Sequence, residues 1–280
     1  MENTEPKKIS TFFAVPNFKP SEDAYKMDGL WYCGACKTPL QTIVKGVGAV
    51  RVDCTCKKQE KERKAAIEAR EKREKARKTA FERERSKRFD FTFANDDRRN
   101  ADVSDKLKKY CEKFSEHRNT GTGFVIHSNQ NGGGKTYLAC AVANELIDRG
   151  FRVLVTDFLT LRDKLFNPAA FRFVTRSDVL NCLCSHDLVV IDDLGAEQSN
   201  EFMLEVEYRV IDTLTDALVP LMLTTNYTLA EFKSEGDINK RRVFDRLLGS
   251  CALLSVDPPD GKSRRMERCI ELTKRMTEGS

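Results

Sequence analysis

The chain has 280 residues and a net charge of +5, long enough for one full α/β core and a smaller appendage. No apolar run approaches the ~18 residues needed to cross a bilayer, and the first residues lack an apolar signal region; a soluble, cytoplasmic protein with no membrane partner is expected. In a reducing compartment its ten cysteines are thiols or metal ligands rather than a disulfide framework.

Charge is unevenly placed. Between Lys57 and Arg88 the chain carries 15 Lys/Arg against 7 Glu, a net +8, while the remainder has 33 basic and 36 acidic residues, a net −3. A basic arm on a slightly acidic body points to contact with nucleic acid or an acidic partner surface.

Residues 1–30 hold Pro6, Pro16 and Pro20 without a sustained period and predict a loosely ordered lead-in. In residues 31–56 two cysteine pairs follow, Cys33-Gly34-Ala35-Cys36 and Cys54-Thr55-Cys56, on either side of a hairpin-like stretch with Gly46 and Gly48. Four thiolates at this spacing can close a tetrahedral structural Zn²⁺ site, without which so small a unit could barely fold; buried or redox-active thiols are the alternative. Cys182 and Cys184 lack a second pair and read as core, as do Cys111, Cys140, Cys251 and Cys269. Residues 57–88 are helix formers without Gly or Pro, and their few apolar points make no heptad. A solvated connecting helix and a nucleic-acid-touching arm both fit.

From Phe89 to the end, residues 89–280, helical and strand-like patterns alternate. Strand-like runs are Phe124 to Ser128, Arg152 to Asp157, Leu188 to Asp192, Leu221 to Thr225 and Ala252 to Val256. This alternation predicts an α/β fold, a doubly wound parallel sheet with helices on both faces.

Two motifs lie on this frame. Asn129-Gln130-Asn131-Gly132-Gly133-Gly134-Lys135-Thr136 joins the first strand to a helix expected over Tyr137 to Asp148. It reads as a phosphate-binding loop in which backbone amides surround a polyphosphate, Lys135 reaches the outer phosphates, and Thr136 holds Mg²⁺. The helix aims its positive end at the same anion. Asn129 stands where the usual pattern has Gly. The second motif, Asp187 to Gly195, is an apolar strand ending in two acids. Asp192 would hold Mg²⁺ through its water shell and Asp193 would orient or deprotonate a water, with Glu197 the next candidate for that task; acid pairs at strand ends also form plain turns.

Taken in order, GFVIHSNQNGGGKTYLACAVANEL, LVVIDDLGAE, PLMLTTN and RRVFDRLLGSCALLSV resemble the DnaC/IstB-like branch of AAA+ ATPases, whose best known members are bacterial and phage replicative helicase loaders. The resemblance covers Phe89 to about Arg265. It implies a P-loop AAA+ ATPase domain binding ATP and Mg²⁺, with a small N-terminal zinc-ribbon-like unit of the kind some loaders carry. Asn226 falls where the family keeps a polar sensor, and Arg246 where it places an arginine finger acting across a subunit boundary, with Arg241 and Arg242 as neighbouring candidates. Arg264 resembles a second sensor, and Arg265 matches equally by spacing. The implied partners are a replicative DNA helicase hexamer and single-stranded DNA, with self-association in the ATP state. An IstB-like transposition accessory ATPase and a non-hydrolysing DNA-binding adaptor are the alternatives.

Overall fold

A computed structural model of the chain describes residues 20–82, 86–195, 201–228, 230–231, 238–257, 261 and 263–278. Two compact units divide at Lys72/Arg73. The first contains two antiparallel hairpins, β1 (Tyr25–Met27) with β2 (Leu30–Tyr32) and β3 (Gln41–Val44) with β4 (Gly48–Arg51). Asp28 and Gly29 turn the first hairpin with φ of 47° and 82°, the paired left-handed conformation of a tight hairpin turn. Part of the stretch read as loosely ordered lead-in is therefore paired strand, and Tyr25 and Tyr32 stack across it at 5.7 Å. Its strands are only three residues long, too short to show a period; residues 1–19 lie outside the described ones.

Helix α1 covers Thr55–Ala80. It stops well short of Arg88. Ala80 and Phe81 are buried, Phe81 pairs in parallel with Val155, and the Glu82 amide donates to the Val155 carbonyl at 3.2 Å. This short pairing covers the backbone of an edge strand that would otherwise be open. Ser86–Asp90 then forms a 3₁₀ turn, and Phe89, Phe91 and Phe93 pack against the core.

The second unit is built on five parallel strands, β5 (Gly123–His127), β6 (Val153–Asp157), β7 (Leu188–Leu194), β8 (Leu221–Thr225) and β9 (Cys251–Ser255), in the spatial order β6-β7-β8-β5-β9. Strand alternation sorts their apolar residues into two cores. Val125, Leu154, Val189, Ile191, Leu221 and Leu223 face one side, with α5 (Phe158–Phe166), α6 (Arg176–Cys184), α7 (Glu201–Asp216) and α8 (Ile238–Ser250). Ile126, Val153, Val155, Leu188, Val190 and Met222 face the other, with α2 (Ala101–Glu112), α3 (Phe114–Thr120) and α4 (Lys135–Asp148). The sheet is thus covered on both faces, the doubly wound P-loop arrangement expected.

A last helix, α9 (Arg264–Glu278), exposes Met266, Ile270 and Met276. Cys269 lies on the same helix and is exposed, which corrects its reading as core; Cys111, Cys140 and Cys251 are buried, and Cys182 and Cys184 half-buried. Among the described residues no helix is long and apolar enough to cross a membrane.

Candidate nucleotide site and cysteine cluster

The loop after β5 is shaped by close packing. Gly134 caps α4 with φ 104°, a conformation that strains residues bearing a Cβ. A Cβ on Gly133 would lie 2.4 Å from the Val256 carbonyl oxygen, so the loop backbone rests directly on the end of β9. Asp257 ties the two together, its Oδ1 accepting from the Ser128 hydroxyl and from the Asn129 amide, each at 2.8 Å. Burial pushes the Asp257 carboxyl up, but the Ser128 and Ser255 hydroxyls and the Asn129 amide outweigh it and hold the group below the usual carboxylate range. Asn129, at the position where the motif has Gly, thus serves as an anchor through its backbone. Asn131 is exposed at the loop tip, and Gly132 turns there with φ 88°.

The two motifs and the end of β8 meet on one spot. Lys135 is buried and its Nζ donates to Asn226 Oδ1 at 2.6 Å. The Thr136 hydroxyl donates to Asp192 Oδ1 at 2.9 Å, as does the Thr224 hydroxyl at 2.7 Å. Thr224 Oγ1 in turn accepts from the Asp193 amide at 2.8 Å. Burial lowers the Lys135 pKa, the Arg265 charge adds to this, and Asp193, Asp192 and Asp257 oppose it.

Strand β7 does not end at Asp192 as its apolar run suggested. It continues to Leu194, with a register shift against β8 between Ile191 and Leu194. Asp193 sits in this irregularity with φ 70° and is exposed, whereas Asp192 beside it is buried. A bulge re-aims side chains in this way, giving adjacent acids separate environments. Glu197 lies outside the described residues. An ammonium, a hydroxyl and oxygen-donor carboxylates around a helix N-terminus fit a polyphosphate with a hard divalent cation.

Arg264 and Arg265 are separated by their surroundings. Arg264 donates from Nε and Nη2 to both oxygens of Asp97, at 2.7 and 2.8 Å, and from Nη1 to the Gly133 carbonyl. That bidentate pair, its hydrogen bonds first, holds the Asp97 carboxyl down at about 2. Arg265 is exposed, although its charge is felt by Lys135. Beside the loop, Asn95, Asp97, Asn100, Tyr137, Leu138 and Arg264 line a cavity of about 110 Å³. Arg246 stands apart from this cluster, paired with Asp212 at 2.7 Å and Asp216 at 3.5 Å; Arg241 and Arg242 are exposed on the same helix.

The four cysteines of the first unit come together, with all their Sγ atoms within 4.8 Å of one another. Cys56 Sγ lies 3.2 Å from that of Cys54 and 3.6 Å from that of Cys33. Tetrahedral zinc with bonds of 2.3 Å places its sulfurs about 3.8 Å apart, so the donor set fits Zn²⁺. The one-residue spacing of the second pair arises because it straddles a helix start: Cys54 precedes α1, Cys56 is in its first turn, and the Cys54 carbonyl accepts from the Lys58 amide. Thr38 hydrogen-bonds Cys36 and lowers its thiol to about 5. Cys54, then Cys36 and Cys33, crowd Cys56 and push it up to about 12.

Several partners escaped the sequence reading. Thr224 lay within a quoted motif, but Asp97 and Asp257 come from distant segments without local pattern. Arg88, counted with the basic arm, is half-buried and donates to Asp192 Oδ2 at 2.7 Å. Arg77 of the same arm is committed to Asp148 at 2.8 Å. An exposed aromatic group was also missed: Phe166 and Phe202 rings meet at 4.5 Å, Arg176 lies over Phe166 at 4.7 Å, and Phe171 is exposed nearby in sequence.

A family model described as IstB-like ATP binding protein matches residues 56–270. Similar proteins include the replicative helicase loader DnaC of Escherichia coli K12, 26% identical over 142 residues, covering 51% of this chain and 55% of that protein. The replicative helicase loader DnaI of Bacillus subtilis strain 168 is 24% identical over 173 residues, covering 58% and 52%. The chain spans about half the length of these curated relatives. Among solved structures, the DnaC helicase loader superposes with a TM-score of 0.45 at 20% identity, over 54% of this chain and 86% of that one, and DnaI with 0.48 at 21%, over 65% and 95%.

Proposed function

The chain belongs to the family of IstB-like ATP-binding proteins, and from that premise we propose that it is a cytoplasmic ATPase that loads a replicative hexameric helicase onto single-stranded DNA during initiation of replication. The observation that carries the ATPase reading is the convergence of Lys135 with Asn226 and of Thr136 with Asp192. Mg²⁺–ATP supplies the polyphosphate, the cation that neutralises it and the bond to be broken. The loop amides from Asn129 to Gly134 and the Lys135 ammonium bind phosphate oxygens; Thr136 and Asp192 hold the cation; Asp193 orients or deprotonates the lytic water. Asn226 senses the terminal phosphate, Arg264 reports nucleotide state, and the cavity at Tyr137 and Leu138 takes the base. Arg246 acts on a neighbouring copy, so the protein self-associates in its ATP state.

The loader step draws on the names of the similar proteins and on three features of this chain. Cys33, Cys36, Cys54 and Cys56 hold a zinc ion that fixes the hairpins, which dock the helicase. The exposed Phe166, Phe171 and Phe202, with Arg176, offer rings on which bases stack, and the basic arm adds phosphate contacts. A second reading, which the resemblance to IstB-like proteins suggests, is a transposition accessory ATPase that assembles on duplex DNA. One experiment separates them. Intact protein with ATP should bind a replicative helicase from its own host or phage and accelerate its assembly on single-stranded DNA, and deletion of residues 1–56 should abolish that while ATP binding persists. Indifference to helicase together with binding to a transposase would replace the loader reading by the second.

A further inference from the structure

Asp192 is held from two sides. Its Oδ1 accepts the Thr136 and Thr224 hydroxyls, on the side of the phosphate loop, while its Oδ2 accepts Arg88 Nη2. Asp192 is buried and Arg88 half-buried, with side-chain exposures of 8% and 14%. Arg88 is delivered by the 3₁₀ turn Ser86–Asp90, which is pinned to α4: Asn144 Nδ2 donates to the carbonyls of Arg88 and Phe91, each at 2.9 Å. The helix that opens at Lys135 therefore also positions the guanidinium at the far oxygen of Asp192. Neither motif contains a cation for this place.

Removing both charges from water is costly, and a buried pair of this kind gives no stability that a well-packed apolar pair could not match. Its consequences for the site are more specific. Without Arg88, the Asp192 carboxylate would keep its full charge beside the Thr136 hydroxyl, an attractive place for a free divalent cation. With Arg88 attached, the Asp192 charge is cancelled and its rotamer is fixed with Oδ1 toward Thr136.

We propose that Arg88 is a positioning residue of the cation site, which orients Asp192 toward Thr136 and keeps a divalent cation off the site until nucleotide phosphates bring the missing negative charge. The proposal rests on the reading of the loop as a Mg²⁺–nucleotide site. It makes cation occupancy conditional on nucleotide, so metal and nucleotide enter together.

The test uses Mn²⁺ as probe, with free ion followed by electron paramagnetic resonance on the full chain, with and without ADP. Wild-type protein should take up Mn²⁺ weakly alone and much more tightly with ADP. Arg88→Gln keeps a hydrogen-bond donor near Asp192 but removes the charge, and should raise nucleotide-free Mn²⁺ affinity roughly tenfold or more, since a unit charge a few ångströms away is removed at low dielectric. Arg88→Lys should return the affinity to the wild-type value, and Asp192→Asn added to Arg88→Gln should abolish the gain. Folded Arg88→Gln protein with unchanged nucleotide-free affinity overturns the proposal; if it melts early, Arg88→Met, neutral and similar in length, gives the same reading. Wild-type protein that binds no ADP by calorimetry would instead defeat the nucleotide-site reading, while the nucleotide-free comparison would still decide the role of Arg88.

Discussion

Adjacent side chains of the same type have been given different surroundings by their backbones. Asp192 is buried and receives three donors, whereas Asp193, one residue on, is exposed in a left-handed conformation. Asp tolerates that conformation better than most residues, and such strain concentrates at functional sites. The arrangement leads to a paired prediction. Lys135→Ala should lose high-affinity ATP binding, because the phosphates lose their nearest side-chain cation. Asp193→Asn should bind ATP as before yet turn it over slower by roughly a hundredfold or more, the usual cost of removing a general base. Calorimetric ATP affinity and phosphate release measured on the same preparations check both. Unchanged affinity in the first variant, or undiminished turnover in the second, would contradict the roles given to these residues.

At the scale of elements, the cysteine cluster is where sequence spacing and geometry agree most closely. The two hairpins are short and their apolar residues largely exposed: Met27, Ile43, Val44 and Val47 are at 42–66%. Hydrophobic burial there is small, so a metal held by the four cysteines would contribute much of the folding free energy. One tightly held Zn²⁺ per chain is therefore expected by elemental analysis. Cys33→Ser with Cys36→Ser should release it and melt the β signal of the first unit, leaving the cooperative transition of the second in place. Protein purified reduced and without chelator that contains no zinc would contradict this.

The same scale shows why some elements could be read from the sequence and others not. A phosphate loop needs its amides, lysine and hydroxyl on consecutive residues, and a buried parallel strand needs an unbroken apolar run; both are local, and the strand-like run Leu221 to Thr225 coincides with β8. The first hairpin depended on the two residues Asp28 and Gly29, flanked by strands without enough length to alternate. The extension of β7 follows from a register shift that no apolar pattern encodes. Arg88, Asp97 and Asp257 reach the site through the fold alone, and an arginine inside a run of charge looks like its solvated neighbours until the chain is folded. Cys269 misled because an apolar helical face reads the same whether or not anything covers it.

At the scale of the whole molecule, the disposition of Arg246 bears on whether hydrolysis needs more than one copy. Within a single chain it is engaged by α7, through Asp212, Asp216 and Tyr208, rather than by any residue of the phosphate loop. Its side chain is 43% exposed, and ion pairs so open to water hold little free energy. Transfer of the guanidinium from these carboxylates to a phosphate on an adjoining copy would therefore cost little. Arginines used in this way accelerate phosphoryl transfer by about 10³–10⁵. Arg246→Ala should accordingly bind ATP like wild type but hydrolyse it poorly, and its defect should depend on association. Mixing it with Lys135→Ala protein provides the check, because the first variant keeps an intact phosphate loop and the second an intact arginine. Activity should reappear in the mixture, rise with total concentration and peak at an intermediate ratio. No rescue at any ratio, with association verified by light scattering, would mean that Arg246 serves only to join α8 to α7, and Arg241 and Arg242 would then be the residues to vary.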